Sequence, residues 1–489
     1  MLCSVCSHAQ QQKAEQVANI VNEAYWAPHL RFLSSDEMGG RNTGSVELNI
    51  AARYLAEQFK AYGLKPPKGS NSYFQSVPLV RSTPPEEAVL EMDKDKFRHG
   101  KQMLVTGGDK QSVNLEAKVI FAGYATEEDL ADLDVKGKIV VANAGEKGNP
   151  NAREFLRLSR QKSSLVEEKG GLALVELYKS PLVPWKLLVK YLNNEQVRLA
   201  AEGSSSKNEL TQIWINDAKG KYAEVVGKGK YRKASIRISG GKEQELDSKN
   251  VVAVIEGTDP ELKNEYLALG AHYDHVGTDM SKAKDGDGIF NGTRDNAVGT
   301  VGLLSAARYF SEHPPKRSVV FIAFTAEEKG LLGSQYYASN PLVPLEQTIY
   351  NFNIDNAGYN DVSRVSIFGF GRTSIDPILE ASCEAFGLEA KGDPAPEQNL
   401  FDRSDNVNFA RAGVPAITFS LGFTAFDKEI LKYYHQVTDE YESLDKDYIN
   451  KYYRSYVMAA IGVANREQRP FWNSGDKYEK AGKELYGLE

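Results

Sequence analysis

The run SVVFIAFTAEEKGLLGS, residues 318–334, sets the reading of the whole chain. Ser318 to Phe324 is short, apolar and rich in β-branched and aromatic residues, the composition of a strand buried on both faces. It leads directly into Glu327-Glu328, and a helical pattern follows from Gly330 to Ser339. The same alternation recurs on either side. Further strand candidates are Asn250–Glu256, Tyr266–Ala271, Tyr350–Ile354, Arg364–Phe368 and Pro415–Phe419. Helical segments fall near Thr300–Glu312, Ser374–Phe386 and Tyr448–Arg466. Strands alternating with helices predict an α/β fold, a mixed and mostly parallel sheet flanked by helices.

Upstream, Val17 to Lys65 reads as helical, with Ile50, Tyr54, Leu55, Phe59 and Tyr62 forming an apolar stripe that Gly63 and Pro66 end. Between Ser76 and Gly241 the texture changes to short β-rich runs, loops and many lysines. Lys118–Tyr124, Lys138–Ala142 and Leu172–Leu177 are strand-like, and Glu154–Lys169 is helical. Residues 76–241 therefore form a β-rich domain inserted into a first domain made of residues 13–75 and 242–489. At the start, Ser7-His8-Ala9 puts small residues where a signal peptidase reads, so residues 1–12 are expected to be a signal-peptide remnant and the protein exported. A disordered cytosolic N-terminus is the plainer alternative.

With 489 residues and 41% hydrophobic content the chain can bury a large core, and 26% charged residues is ordinary for a folded protein. A net charge of -7 argues against nucleic acid as a partner, because phosphate binding wants a basic face. No stretch approaches the roughly 18 apolar residues of a membrane span. Cys3, Cys6 and Cys383 are too few and scattered for a disulfide framework.

Residues able to do chemistry cluster where strands end, the usual ligand position in an open α/β sheet. His272-Tyr273-Asp274-His275 follows the Tyr266 strand. Residues two apart on an extended chain face the same way, so His272 can bind a metal while Asp274 accepts a hydrogen bond from its other ring nitrogen. Asp295 lies between a glycine-containing loop and the helix from Thr300. It reads either as a helix cap or as a carboxylate bridging two cations. Asp285-Gly286-Asp287-Gly288 lacks the glutamate and flanking helices of a calcium loop and is read as plain loop. In Glu327-Glu328 one carboxylate can bind metal and its neighbour can hold an attacking water. Asp355 again ends a strand, and His435 is one of only 7 histidines. Each alone is equally a solvated polar residue. The ordered set His, Asp, Glu-Glu, Asp, His, without cysteine, suits zinc in a catalytic site.

These residues resemble the motifs of the co-catalytic di-zinc aminopeptidases, the family of the Streptomyces and Vibrio-type aminopeptidases, aminopeptidase Y and glutamate carboxypeptidase II. The carrying segments are His272 to Gly277, Arg294 to Ala297 and Thr325 to Ser334. The resemblance implies two zinc ions, one held by His272 and Asp355, the other by Glu328 and His435, with Asp295 bridging. It implies Glu327 as general base, Tyr434 as support for the tetrahedral intermediate, and Asp274 as the residue behind a ligand. Arg403-Ser404-Asp405, with Phe409 and Gly413 to Ala416, is similar to the substrate-side segment. Ser35 to Arg41 looks like the family's N-terminal segment. Val135 to Val140 and Glu168 to Gly171 resemble a protease-associated domain, which in such enzymes shapes access to the cleft.

The expectation is an exopeptidase that removes amino-terminal residues from peptides. A carboxypeptidase of the same fold would need cations beyond the scissile bond, for which Arg403 is the obvious candidate. A glutaminyl cyclase-like acyltransferase would use one zinc. A receptor-like binding module would not need every ligand position filled, as they are here.

Overall fold

The computed structural model describes residues 2–149, 155–200 and 210–488, with backbone alone for residues 2–9. Part of the 1–12 segment and the side chains of Cys3 and Cys6 thus lie outside the described residues; Leu2–Ile20 is a helix. The chain divides into two compact units, Met1–Val77 with Asp247–Glu489, and Pro78–Leu246.

The first unit is built on an eight-stranded sheet. Its strands are β1 Phe74–Ser76, β2 Lys249–Ile255, β3 Tyr266–His272, β4 Ser318–Phe324, β5 Thr348–Ile354, β6 Arg364–Phe368, β7 Glu389–Gly392 and β8 Ala416–Leu421. The order across the sheet is β1-β2-β4-β3-β5-β8-β6-β7. Strands β4, β3, β5 and β8 run parallel in the middle. β2 pairs antiparallel to β4, and β6 antiparallel to β8. The sheet is therefore mixed with a parallel centre, as the sequence predicts.

Every residue of β4 and β5 is buried. Period-two alternation sends Val319, Phe321 and Ala323 to a core shared with helices Val46–Ala61, Gly299–Glu312 and Lys446–Asn465. Val320, Ile322 and Phe324 face the opposite core, with Tyr337, Phe409 and Trp472. Burial on both faces is why β4 reads as an unbroken apolar run from Val319 to Phe324. The edge strand β7, with sequence EAKG and no fully buried residue, carries no such signal.

The second unit has its own eight-stranded sheet, half antiparallel through Glu87–Met92, Lys233–Ser239 and Ser112–Phe121. It is parallel through Ser112–Phe121, Ile139–Asn143, Ala173–Tyr178 and Thr211–Asn216. A small sheet pairs Leu79–Ser82 with Glu243–Leu246, so the edge of this unit falls after Leu246. Inside it, Glu176 is buried and held by Lys162 Nζ at 3.1 Å and Trp214 Nε1 at 2.8 Å. Among the described residues no helix is long and apolar enough to cross a membrane.

Candidate metal centre

Three parallel strands deliver their last residues to one edge. His272 ends β3; Glu327 and Glu328 follow β4; Asp355 follows β5. Asp295 arrives from the other direction, just ahead of the Gly299–Glu312 helix. His435 lies on the loop after β8 in left-handed backbone, φ 53°.

The side chains converge. His272 Nε2 lies 3.1 Å from Asp355 Oδ1 and 3.3 Å from Asp295 Oδ1. His435 Nε2 lies 3.1 Å from Asp295 Oδ2 and 3.3 Å from Glu328 Oε2. Asp295 therefore turns one oxygen to each imidazole. Two donors sharing a tetrahedral ion at about 2.0–2.1 Å are about 3.3 Å apart, so these spacings are those of co-ligands. Among the described residues, two groups are close enough to share an ion: His272, Asp295 and Asp355, and His275, Asp295, Glu328 and His435.

Burial alone would push His272 toward neutrality, but the carboxylates of Asp355 and Glu327 outweigh it and raise its pKa well above the usual imidazole value. His435 is likewise raised, to about 10, Glu328 and Asp295 overcoming burial. Glu327 is held well above the ordinary carboxylate range, first by burial, then by Asp355, Glu328 and Asp405, against the pull of His272. Asp405 is fully buried and raised to about 7, mainly by burial.

Around this centre buried polar groups are fixed by the backbone. The Arg41 guanidinium, 1% exposed, donates to the carbonyls of Tyr273 (2.9 Å), Asn291 (2.7 Å), Gly292 (3.0 Å) and Leu33. It thus ties together the segments that carry His272 and Asp295. Arg294 pairs with Asp439 at 2.8 Å and its guanidinium carbon lies 3.7 Å from the Tyr433 ring centre. Ser404 Oγ donates to Asp355 Oδ2 at 2.6 Å and itself accepts from Asn353 at 2.8 Å.

One expected contact differs. The Asp274 carboxylate lies 3.9 Å from His272 Nδ1, whereas the Asp274 main-chain oxygen is at 3.2 Å. The carboxylate accepts instead from Thr43 Oγ1 and from the Glu327 amide, both at 3.0 Å. A fully buried carboxylate needs fixed donors, and these two supply one to each oxygen, while the peptide oxygen faces the imidazole. Asp274 therefore anchors the Glu327 turn rather than the His272 ring.

Tyr434 stacks on His435 with ring centres 4.2 Å apart, and its hydroxyl lies 3.4 Å from Arg403 Nη2. Both line a cleft opening on Asp295, Glu327 and Asp355, walled also by Phe368 and Leu400. All sequence-predicted site residues are thus brought to this one edge of the sheet. Sequence reasoning gave no role to His275, whose Nδ1 is 2.7 Å from Glu328 Oε1. Nor did it single out Arg41, Thr43 or Asp439. The signal for His275 was available in its place three residues after a ligand candidate.

Residues 250–460 match the model of peptidase family M28. Aminopeptidase YwaD of Bacillus subtilis (strain 168) is 24% identical over 364 residues, covering 73% of this chain and 69% of that protein. A probable zinc metalloprotease of Pyrenophora teres f. teres is 34% identical over 159 residues, 31% of this chain and 32% of that protein. Among solved structures, the aminopeptidase from Aneurinibacillus sp. strain AM-1 superposes with a TM-score of 0.58 at 22% identity, covering 93% of this chain and 97% of that one. That likeness is one of fold.

Proposed function

We propose that this chain, whose residues 250–460 match the model of peptidase family M28, is an aminopeptidase working with two zinc ions, one of which His272 and Asp355 would hold and the other Glu328 and His435, with Asp295 shared between them. The observation that carries the reading is Asp295, whose two oxygens stand 3.3 Å and 3.1 Å from the imidazoles of the two groups. The donor set of imidazole and carboxylate without thiolate fits zinc in a catalytic site.

Bound zinc would polarise the scissile carbonyl and lower the pKa of water. The protein's own part is proton transfer and positioning. Glu327 takes the proton of the attacking water and returns it to the leaving amine. Its amide is pinned on Asp274 at 3.0 Å, which fixes where the carboxylate can swing. Burial among carboxylates raises the proton affinity of Glu327, which strengthens it as the acceptor of the water's proton. Burial and the charges of Asp295 and Glu328 keep the Tyr434 phenol protonated, so its hydroxyl can donate to the developing oxyanion. Arg403, exposed at the cleft beside Tyr434, belongs to the substrate side.

An amino-terminal substrate brings a cationic α-amine, which Glu327 and Asp355 suit, while the cleft offers one arginine to a carboxylate. The bacterial relative covering most of this chain is itself named an aminopeptidase. The inserted unit, residues 78–246, is read as a protease-associated-like domain, and Ser7-His8-Ala9 supports export. The test is one peptide with free ends, an acetylated amino end, or an amidated carboxyl end. The reading requires shortening of the first and third from the amino end and none of the second. Cleavage that survives acetylation and stops on amidation would replace it with a carboxypeptidase.

A further inference from the structure

We infer that His275 is a positioning residue for the metal centre, donating a hydrogen bond from Nδ1 to Glu328 Oε1 so that Oε2 is presented to the ion on the His435 side. The inference rests on the dinuclear zinc reading and adds to it a residue outside the five ligands.

His275 has no exposed surface, and its Nδ1 stands 2.7 Å from Glu328 Oε1. That spacing decides between two roles. Co-ligands of a tetrahedral ion sit about 3.3 Å apart, as His272, His435 and their carboxylates do at 3.1–3.3 Å. A separation of 2.7 Å is that of a charge-assisted N–H to carboxylate hydrogen bond. The other ring nitrogen gives the same answer. His275 Nε2 is buried and has no hydrogen-bond partner. Were Nδ1 a metal ligand, the proton would sit on Nε2 as a buried N–H without an acceptor, a cost of about 1–3 kcal/mol. With the proton on Nδ1, Nε2 is a buried lone pair without a donor, which folded proteins tolerate somewhat more often than an orphaned N–H.

The ring is also held in a prepared place. Its backbone amide donates to the Arg41 carbonyl at 3.1 Å. Gly292 leaves the imidazole room, since a Cβ there would stand 2.4 Å from His275 Cδ2. The consequence is a division of labour within Glu328, Oε1 fixed by His275 and Oε2 3.3 Å from His435 Nε2. Partners of this kind orient ligating carboxylates, and their loss lowers metal affinity about 10–100-fold.

The experiment measures zinc affinity by chelator competition and elemental analysis in the full-length protein, for wild type, His275→Ala, His275→Asn and His275→Gln. Melting of the zinc-stripped proteins shows whether each variant folds. Asn places an amide N–H where Nδ1 was, and Gln where Nε2 was. Wild type is expected to hold two zinc ions. Ala and Gln should weaken one of them about 10–100-fold and leave the other unchanged, and Asn should regain about tenfold of that loss. Should His275→Ala fail to fold, the Asn and Gln pair decides alone. Wild-type affinity in His275→Ala at both sites, or Asn no better than Gln, overturns the inference while leaving the zinc reading intact. A wild type that binds no zinc overturns both.

Discussion

Replacing Arg294 by methionine probes the structure behind the bridging carboxylate. Arg294 and Asp439 are 2% and 1% exposed, and the pair closes at 2.8 Å. Arg294 also gives Nη1 to Ser443 Oγ at 2.8 Å and Nη2 to the Ser443 carbonyl at 3.0 Å. Methionine fills much of the volume but removes all three bonds. Asp439 would then keep the Arg294 amide at 2.8 Å and the Asp295 amide at 3.4 Å. Breaking a buried ion pair costs about 3–5 kcal/mol, because the surviving charge is left uncompensated. The two remaining amide bonds place the expected loss near the lower end, about 3 kcal/mol. In the double variant Arg294→Met/Asp439→Asn no charge is stranded, so part of the loss should return, with a coupling of about 1–2 kcal/mol. Urea unfolding of the zinc-free proteins measures both numbers. A single-variant loss below about 1 kcal/mol, or a double variant no more stable than Arg294→Met, would refute the claim that this pair is a buried structural anchor.

The two adjacent glutamates should separate by readout. Glu327→Gln is expected to lower kcat by about 10²–10⁴-fold with zinc content kept, whereas Glu328→Gln should lose zinc; identical behaviour would undo the assignment within the pair. Glu440 is raised to about 7, first by burial and then by Asp36, Asp287 and Asp439, against the Asn291 hydrogen bond. Its folded pKa exceeds the unfolded value, so its contribution favours folding at low pH and is lost as pH climbs from about 4.5 to about 7. Glu440→Gln should flatten the melting temperature across that window and stabilise the protein at pH 8 by about 1 kcal/mol, a figure discounted for partial exposure. A slope unchanged from wild type would show that Glu440 does not carry it.

How much of this was legible beforehand follows from what each feature depends on. Strand β4 was read with its ends in place, because seven residues buried on both faces leave no polar position to blur it. His272 and Asp355 were legible for the same reason, each directly following the apolar end of a strand, and Glu327 and Glu328 come within four residues of the end of β4. The strands at the sheet's two ends were not. β1 is three residues long, and β7 has no buried residue to mark its face. The Asp274 contact was misjudged because strand periodicity fixes which way a side chain points, not which donor reaches it first. Thr43, 231 residues away in sequence, took one of its oxygens. Arg41 escaped notice for a related reason, since its partners are backbone carbonyls and leave no complementary residue type in the sequence.

The central claim is tested most directly by zinc titration of the metal-stripped enzyme while release of the amino-terminal residue from an unblocked peptide is followed. The account predicts no release without metal and recovery on adding zinc, complete at two ions per chain. Full activity in the stripped protein, saturation at a single ion, or zinc-dependent release only from the carboxyl end would contradict it.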